Sequence, residues 1–359
     1  MTCRISPLTH FPPEPQGLVG RELELRTLTT ALTESRPARL ALVGSGGSGK
    51  SMLAAALGHR VRESFEDRVH WFRVGGWDYY TLTELLALGL GLPNGEGRME
   101  RIREHLSEQE QLIVLDNHEE DRAMARLLDA LGDTRATFVL TARRCLLSGV
   151  FIYPVVAPLV STRQAAFPRV ARLTQLLRYN PLALDLADAL VSSSAIDAKA
   201  LETWLRGQGV GRVAAIEHED DLPEVARLVE WCWERLAPTS RRLLSVLAYS
   251  DGDHVDRRSL LSLGDAPARA LVRLRDWRLV QEPLPDRFAV HAVVRHALRR
   301  LDRFPLGRAF EHYVDMIERH PERFVAEHSH LFAALDYAHR QSDREAILRV
   351  QRLLAQVEG

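Results

Sequence analysis

Lysine is nearly absent from this chain. Of 47 basic residues in 359, only Lys50 and Lys199 are lysines and the rest are arginines, so where a lysine stands carries information. Cysteine is as scarce. Cys3, Cys145 and Cys232 are too scattered for a metal-ligand spacing and leave an odd one in any disulfide scheme, which excludes a disulfide-stapled module and points to reduced thiols. Charge of one sign is not in excess either: 47 basic against 48 acidic residues give a net charge of -1, which speaks against a protein that coats a polyanion. Long apolar runs are missing. The longest, over residues 150–160, is broken by Pro154 and Pro158 and falls short of the ~20 residues that a spanning helix needs. With no charged-then-apolar secretory signal at the N-terminus, the expectation is a cytoplasmic protein that spans no membrane. What remains is 46% hydrophobic and 26% charged, a globular composition, long enough for two or three domains at roughly 150 residues each.

Along the chain, the first 16 residues hold four prolines without periodicity and read as an extended leader. Short apolar runs at 40–43, 69–74, 112–115, 137–140 and 151–156 then alternate with helical patterns, the signature of a parallel sheet covered by helices. Beyond residue 161 strand signals nearly vanish, and 163–178, 181–191 and 198–206 read as helices of a small lid. A Gly-containing, then acidic stretch at 207–221 is a candidate linker. After it, helices at 222–236, 239–249, 255–263 and 267–277 precede two short strands at 279–282 and 287–290 and a helix at 291–301, an order that suggests a winged helix-turn-helix. Residues 305–359 read as all helical, with two antiparallel helices that resemble the start of a repeat array. The expected division is therefore a leader (1–16), an α/β P-loop nucleotide-binding domain (17–158), a helical lid (159–215), a winged-helix domain (216–303) and a helical segment (304–359).

The strongest chemical signal is Gly44-Ser45-Gly46-Gly47-Ser48-Gly49-Lys50-Ser51, a complete G-x-x-x-x-G-K-[ST] between an apolar run and a helical pattern. Gly44, Gly46, Gly47 and Gly49, with Ser48, let backbone N–H groups curl round a β-phosphate. Lys50 reaches the β- and γ-phosphates, Ser51 offers its hydroxyl to Mg²⁺, and Met52 follows at the start of the helix. The chance alternative, a Gly/Ser-rich turn, sits badly with one of only two lysines falling at this position. Asp116, closing the run 112–115, is the candidate for the Mg²⁺ shell. No acid follows it directly. Glu119 is the nearest carboxylate that could activate water, the alternative being a solvated surface acid, and slow hydrolysis is expected. A later strand ends in Thr141-Ala142-Arg143-Arg144 at the edge where such sheets hold ligands, so Thr141 and Arg143 are candidate γ-phosphate sensors, against surface ion pairing for the arginines.

Taken in order, Leu18-Val19-Gly20-Arg21-Glu22, the phosphate loop, Leu140-Thr141-Ala142-Arg143, Asn180-Pro181-Leu182-Ala183-Leu184 and Val290-His291-Ala292 resemble the motif set of the signal-transducing STAND ATPases. The likeness is to the NB-ARC type found in apoptosome proteins, plant resistance proteins and bacterial AfsR-like regulators, and it covers residues 18–303. The resemblance implies base or ribose contacts from Val19, Gly20 and Arg21, and a proline, Pro181, packed on the nucleotide. It also implies a histidine, His291, on the β-phosphate of ADP. Asn180 stands where that family has leucine before the proline, and Val290 and Ala292 replace its Met and Asp around the histidine. The implied function is an ADP/ATP switch whose closed monomer opens and self-associates on exchange. An N-terminal effector module is not expected, and output is expected from a C-terminal extension, a protein partner or oligomerisation.

The alternative class is a loader-type AAA+ ATPase of the origin-recognition kind, which binds DNA through its winged helix. Residues 239–303 carry 13 arginines against 8 acids, among them Arg269, Arg273, Arg275 and Arg278, a modest phosphate footprint with nothing to mark a base-reading face. DNA binding is accordingly the less favoured reading.

Overall fold

The computed structural model describes residues 11–15, 21–35, 39–93, 95–156, 167–207, 222–250 and 254–358. Most of the expected leader, the expected linker beyond Gly207, and residues 163–166 of an expected helix lie outside them. Contacts divide the chain into two compact units: Met1–Ser45, Gly49–Val156 and Tyr313–Gly359 form the first, Gly46–Ser48 and Ala157–His312 the second.

The first unit is built on helix α1 (Glu22–Thr30), strand β1 (Arg39–Val43), α2 (Lys50–Val61), β2 (Val69–Arg73), α3 (Tyr79–Gly89), α4 (Arg98–Glu108), β3 (Gln111–His118), α5 (Asp121–Ala130), β4 (Ala136–Ala142) and β5 (Phe151–Pro154). All strand pairs are parallel, in the order β2-β3-β4-β1-β5. Strands buried on both faces read as continuous apolar runs, and Leu112 to Leu115 and Phe138 to Leu140 are at most 2% exposed. Helix α2 presents Leu53, Leu57 and Val61 to the core formed with Leu40, Leu42 and Val114. The alternating runs expected to form a parallel sheet therefore do so, as a P-loop NTPase fold.

In the second unit the stretch after Phe167 is a short 3₁₀ helix, Pro168–Leu173, rather than the helix expected to reach residue 178. Non-helical angles at Val170 and left-handed angles at Arg178 and Tyr179 break the hydrogen-bond ladder there. Helices α6 (Pro181–Ser192), α7 (Ala198–Gly207), α8 (Pro223–Arg235) and α9 (Pro238–Tyr249) follow. Val255 and Asp256 form a two-residue strand, β6, paired with Arg287 and Phe288, where a helix was expected to start. After it come α10 (Arg257–Gly264), α11 (Ala270–Asp276), β7 (Gln281–Leu284), β8 (Arg287–Ala289) and α12 (Ala292–Leu301), with a three-stranded antiparallel sheet ordered β6-β8-β7. Trp231 and Trp277 pack with ring centroids 5.8 Å apart, as core. Residues 305–358 form three helices where two were expected, α13 (Leu306–Arg319), α14 (Phe324–Gln341) and α15 (Arg344–Glu358). Cys145 and Cys232 are buried free thiols. Among the described residues no helix is long and apolar enough to cross a membrane.

Phe138 lies in β4 at 2% exposure. Phe138→Ala is expected to destabilise the first unit by about 3–5 kcal/mol, the usual cost of emptying a buried aromatic site, as read from denaturant unfolding.

Candidate functional site

Strand β1 delivers the chain into the Gly44–Ser51 turn, where the Gly44 N–H donates to the Ala142 carbonyl at 3.2 Å and so anchors the loop to the end of β4. Gly47 (φ 75°) and Gly49 (φ 89°) take left-handed angles, which residues with a Cβ adopt at a cost, and the turn could not close as it does with ordinary residues there. Lys50 opens α2, and its Nζ donates to the carbonyls of Gly44 (2.8 Å) and Ser45 (2.9 Å), which keeps the ammonium over the loop. Gly46–Ser48 group with the second unit, where a Cβ on Gly46 would collide with Val293 Cγ2 and one on Gly47 would lie 3.7 Å from Asn180 Oδ1.

At the edge of the sheet Asp116, 8% exposed, is the meeting point of two hydroxyls. Ser51 Oγ and Thr141 Oγ1 each donate to its Oδ1 at 2.6 Å. Thr141 in turn accepts from the Asn117 N–H at 2.9 Å, so its hydroxyl is spent on shaping this carboxylate and the bulge after it. Thr141 therefore supports Asp116 in this arrangement, where it had been expected to face a γ-phosphate. Nothing in its local sequence signals this role. Asn117 carries left-handed angles (φ 62°) at that bulge, and its Nδ2 donates to Glu119 Oε1 at 2.9 Å. Glu119 is exposed, and its N–H donates to the Gly75 carbonyl at 3.2 Å.

Arg21 is 4% exposed and lies beside the loop's last glycine: a Cβ on Gly49 would sit 3.6 Å from Arg21 Nη2. Its guanidinium bonds Glu24 and the Val156 carbonyl (3.0 Å). Val19 and Gly20 lie outside the described residues. Met52 is 46% exposed in the first turn of α2. Arg143 is half-buried just past β4 and makes no hydrogen bond or ion pair with the described residues. In the second unit Asn180 is the N-cap of α6, its Oδ1 accepting from Ala183 N–H at 3.1 Å, and Pro181 fills the first helical position, where no N–H is needed. His291 caps α12 in the same manner, its Nδ1 accepting from Val293 N–H at 3.2 Å. That fixes the proton, where the ring is neutral, on Nε2. Among the described residues no group of His, Cys, Asp and Glu has the makings of a separate metal site.

The loop, the helix it opens and the strand that carries Asp116 define a P-loop nucleotide-binding fold. No protein-family model matches the chain. It is similar to the regulatory protein AfsR of Streptomyces coelicolor, 24% identical over 319 residues that cover 79% of this chain and 32% of the relative. In structure it is similar to a STAND protein with a tetratricopeptide repeat sensor from Pyrococcus horikoshii, with a TM-score of 0.53 and 18% identity over 97% of this chain and 49% of that one. The resemblance to STAND ATPases read from the sequence is thus met in both comparisons. The chain spans about a third of the first relative and half of the second. The Aeropyrum pernix ORC1 protein, solved in complex with DNA, is a weaker match with a TM-score of 0.32 and 16% identity over 80% of this chain and 93% of that one, too low to carry an argument.

Replacing Thr141 by Val would leave the half-buried Asn117 N–H without its acceptor and Asp116 with one donor fewer. Thr141→Val is expected to cost about 1–3 kcal/mol in unfolding free energy, and Thr141→Ser to recover most of it. Equal stability of the two variants would contradict this geometry.

Proposed function

We propose that the chain is a switch operated by ADP and ATP. The observation that carries the reading is the convergence of Ser51 and Asp116 at 2.6 Å behind a complete phosphate loop. A hydroxyl and a carboxylate side by side are hard oxygen donors, a set that fits the Mg²⁺ that would accompany a nucleoside triphosphate. In this reading Gly44, Gly46, Gly47, Ser48 and Gly49 present N–H groups to the β-phosphate, and Lys50 neutralises the β- and γ-oxygens. Ser51 and Asp116 would hold the metal, and Arg143, which makes no hydrogen bond or ion pair with the described residues, would meet the γ-phosphate as a planar fork. Val19, Gly20 and Arg21 belong to the base and ribose side, and Met52, in the first turn of α2, also counts among the nucleotide-binding residues. Pro181 and His291 come from the lid (159–215) and the winged-helix domain (216–303), and close over the nucleotide held by residues 17–158.

A nucleotide shifts such a switch only by binding its two states unequally. His291 supplies that difference if its Nε2–H meets a β-phosphate oxygen in the ADP state, since Nδ1 is already engaged by the Val293 N–H. Exchange for ATP then releases the winged helix, opens the monomer and exposes a surface for self-association. Hydrolysis is slow in this reading because Asn117, an amide, stands next to Asp116, and the water-orienting carboxylate has to come from Glu119, two residues further on. A cytoplasmic location follows from such a role. The activating signal reaches the switch through a protein partner or a further C-terminal segment.

The DNA-loading alternative has less support. Arg275 pairs with Glu282 at 2.9 Å, Arg278 with Asp185 and Asp188, and Arg273 lies over Trp277, so three of the four arginines suited to a phosphate footprint are engaged within their own unit.

The first test is the nucleotide released on denaturing the purified protein, with its mass in solution measured in ADP and in a non-hydrolysable ATP analogue. Bound ADP on a monomer that assembles only with the analogue is expected; an empty site, or assembly that requires DNA, favours the loader. Lys50→Ala is expected to abolish binding in equilibrium titration. His291→Ala is expected to speed ADP release at least about fivefold, the lower end of coupling between sites, and an unchanged off-rate removes His291 from the latch.

A further inference from the structure

Helix α14, itself part of the first unit, holds one short loop of that unit through a polar grip. Phe332, fully buried, packs against Trp77 with centroids 6.3 Å apart, an apolar contact that tolerates sliding. The polar contacts beside it are directional. Asp336, 5% exposed, accepts from the Asp78 N–H through Oδ1 (3.3 Å) and pairs with Arg340 through Oδ2 (2.6 Å). Arg340 Nη2 donates to the Gly76 carbonyl at 3.1 Å. One acid and one base, a helical turn apart, thus hold both ends of the Gly76–Asp78 backbone. Charge-assisted hydrogen bonds of this kind fix orientation more tightly than apolar packing does.

The other side of that loop is laced to the site. Val74 N–H donates to the Asp116 carbonyl at 2.9 Å, and the Gly75 carbonyl accepts from Glu119 N–H at 3.2 Å. Glu119 leans over Gly76, where an added Cβ would lie 3.8 Å from both its Cβ and its Oε2. The backbone that α14 grips is therefore the backbone on which Glu119 rests.

The geometry points to Asp336 and Arg340 as positioning residues for Glu119: helix α14 sets the place of the loop, and through it the place of the carboxylate that orients water. This rests on the assignment of Glu119 proposed above. A base held through a loop loses rate when the loop drifts, while phosphate binding rests on Lys50 and Ser51, which belong to the start of a different helix, α2.

The test uses the full chain. Single-turnover ATP hydrolysis, ATP affinity by equilibrium titration and the unfolding midpoint are measured for Arg340→Ala, Asp336→Asn, Arg340→Lys, Glu119→Gln and the Arg340→Ala/Glu119→Gln pair. Arg340 is 59% exposed, so its truncation is compatible with folding, and Asp336→Asn keeps the side-chain shape. Arg340→Ala and Asp336→Asn are expected to slow turnover by roughly 10- to 100-fold, the upper figure being the cost of a displacement of about 1 Å, with ATP affinity within about twofold of the parent. Arg340→Lys is expected to recover part of the rate, and the pair to be no slower than Glu119→Gln alone. Slowing by Glu119→Gln with none from Arg340→Ala or Asp336→Asn, or losses that add in the pair, overturns the positioning role and leaves Glu119 standing. A rate that falls only together with affinity and unfolding midpoint also overturns it, as a structural effect. Unchanged turnover in Glu119→Gln, or no measurable turnover in the parent, overturns the Glu119 assignment and the positioning role with it.

Discussion

A carboxylate taken out of water has to be given hydrogen-bond donors, and much of this site follows from how Asp116 is given them. Its Oδ1 receives the hydroxyl of Ser51 from the start of α2 and that of Thr141 from the end of β4. One buried oxygen thereby ties together the phosphate loop, the strand that carries the acid and the strand between them. The order β2-β3-β4-β1-β5 makes this contact available, since β4 lies between β1 and β3 and its Thr141 meets Asp116 of β3. The same hydroxyl accepts from Asn117 N–H and so stabilises the bulge that turns the chain toward Glu119.

The second constraint is the loop itself. Its left-handed glycines aim backbone N–H groups into the turn, and the charge of Lys50 is held there by carbonyls of the loop. Those carbonyls are replaceable partners for an ammonium group, since phosphate oxygens offer it a full opposite charge. Arg21 completes this corner by lying against Gly49 while its guanidinium is fixed by Glu24 and the Val156 carbonyl. In the second unit the caps of α6 and α12 are Asn180 and His291, residues whose side chains serve their own helix first. For His291 this local duty engages Nδ1, and a cap of this kind holds the ring in one orientation.

The helices after residue 312 are part of the first unit and reach it far along the chain: Asp336 and Asp78 are 258 residues apart in sequence. A buried acid paired with arginine and committed to a backbone N–H is a specific arrangement, while the neighbouring Trp77–Phe332 contact supplies burial. The two together distinguish a placed helix from one that merely covers an apolar face.

Much of this was legible in local order. Apolar runs at regular spacing announced the parallel sheet, and the glycine pattern with its rare lysine announced the phosphate loop, because period and turn chemistry act between near neighbours. Expectation and structure part where distant residues decide. The stretch expected to run as a helix to residue 178 is interrupted by non-helical angles at Val170 and ended by left-handed ones at Arg178 and Tyr179, which no periodicity displays, and Val255 and Asp256 become a strand because Arg287 and Phe288 lie alongside. Thr141 looked like a residue facing ligand, since a strand-end hydroxyl carries no mark of its partner; the parallel register of β3 and β4 brings it onto Asp116, 25 residues away. By itself the sequence determined which elements form and where phosphate chemistry is concentrated. Which hydroxyl serves the carboxylate, and which helix holds the loop beneath Glu119, were decided only when strand register and helix packing placed those groups within hydrogen-bonding distance, an interaction too short in range to be written in spacing along a chain.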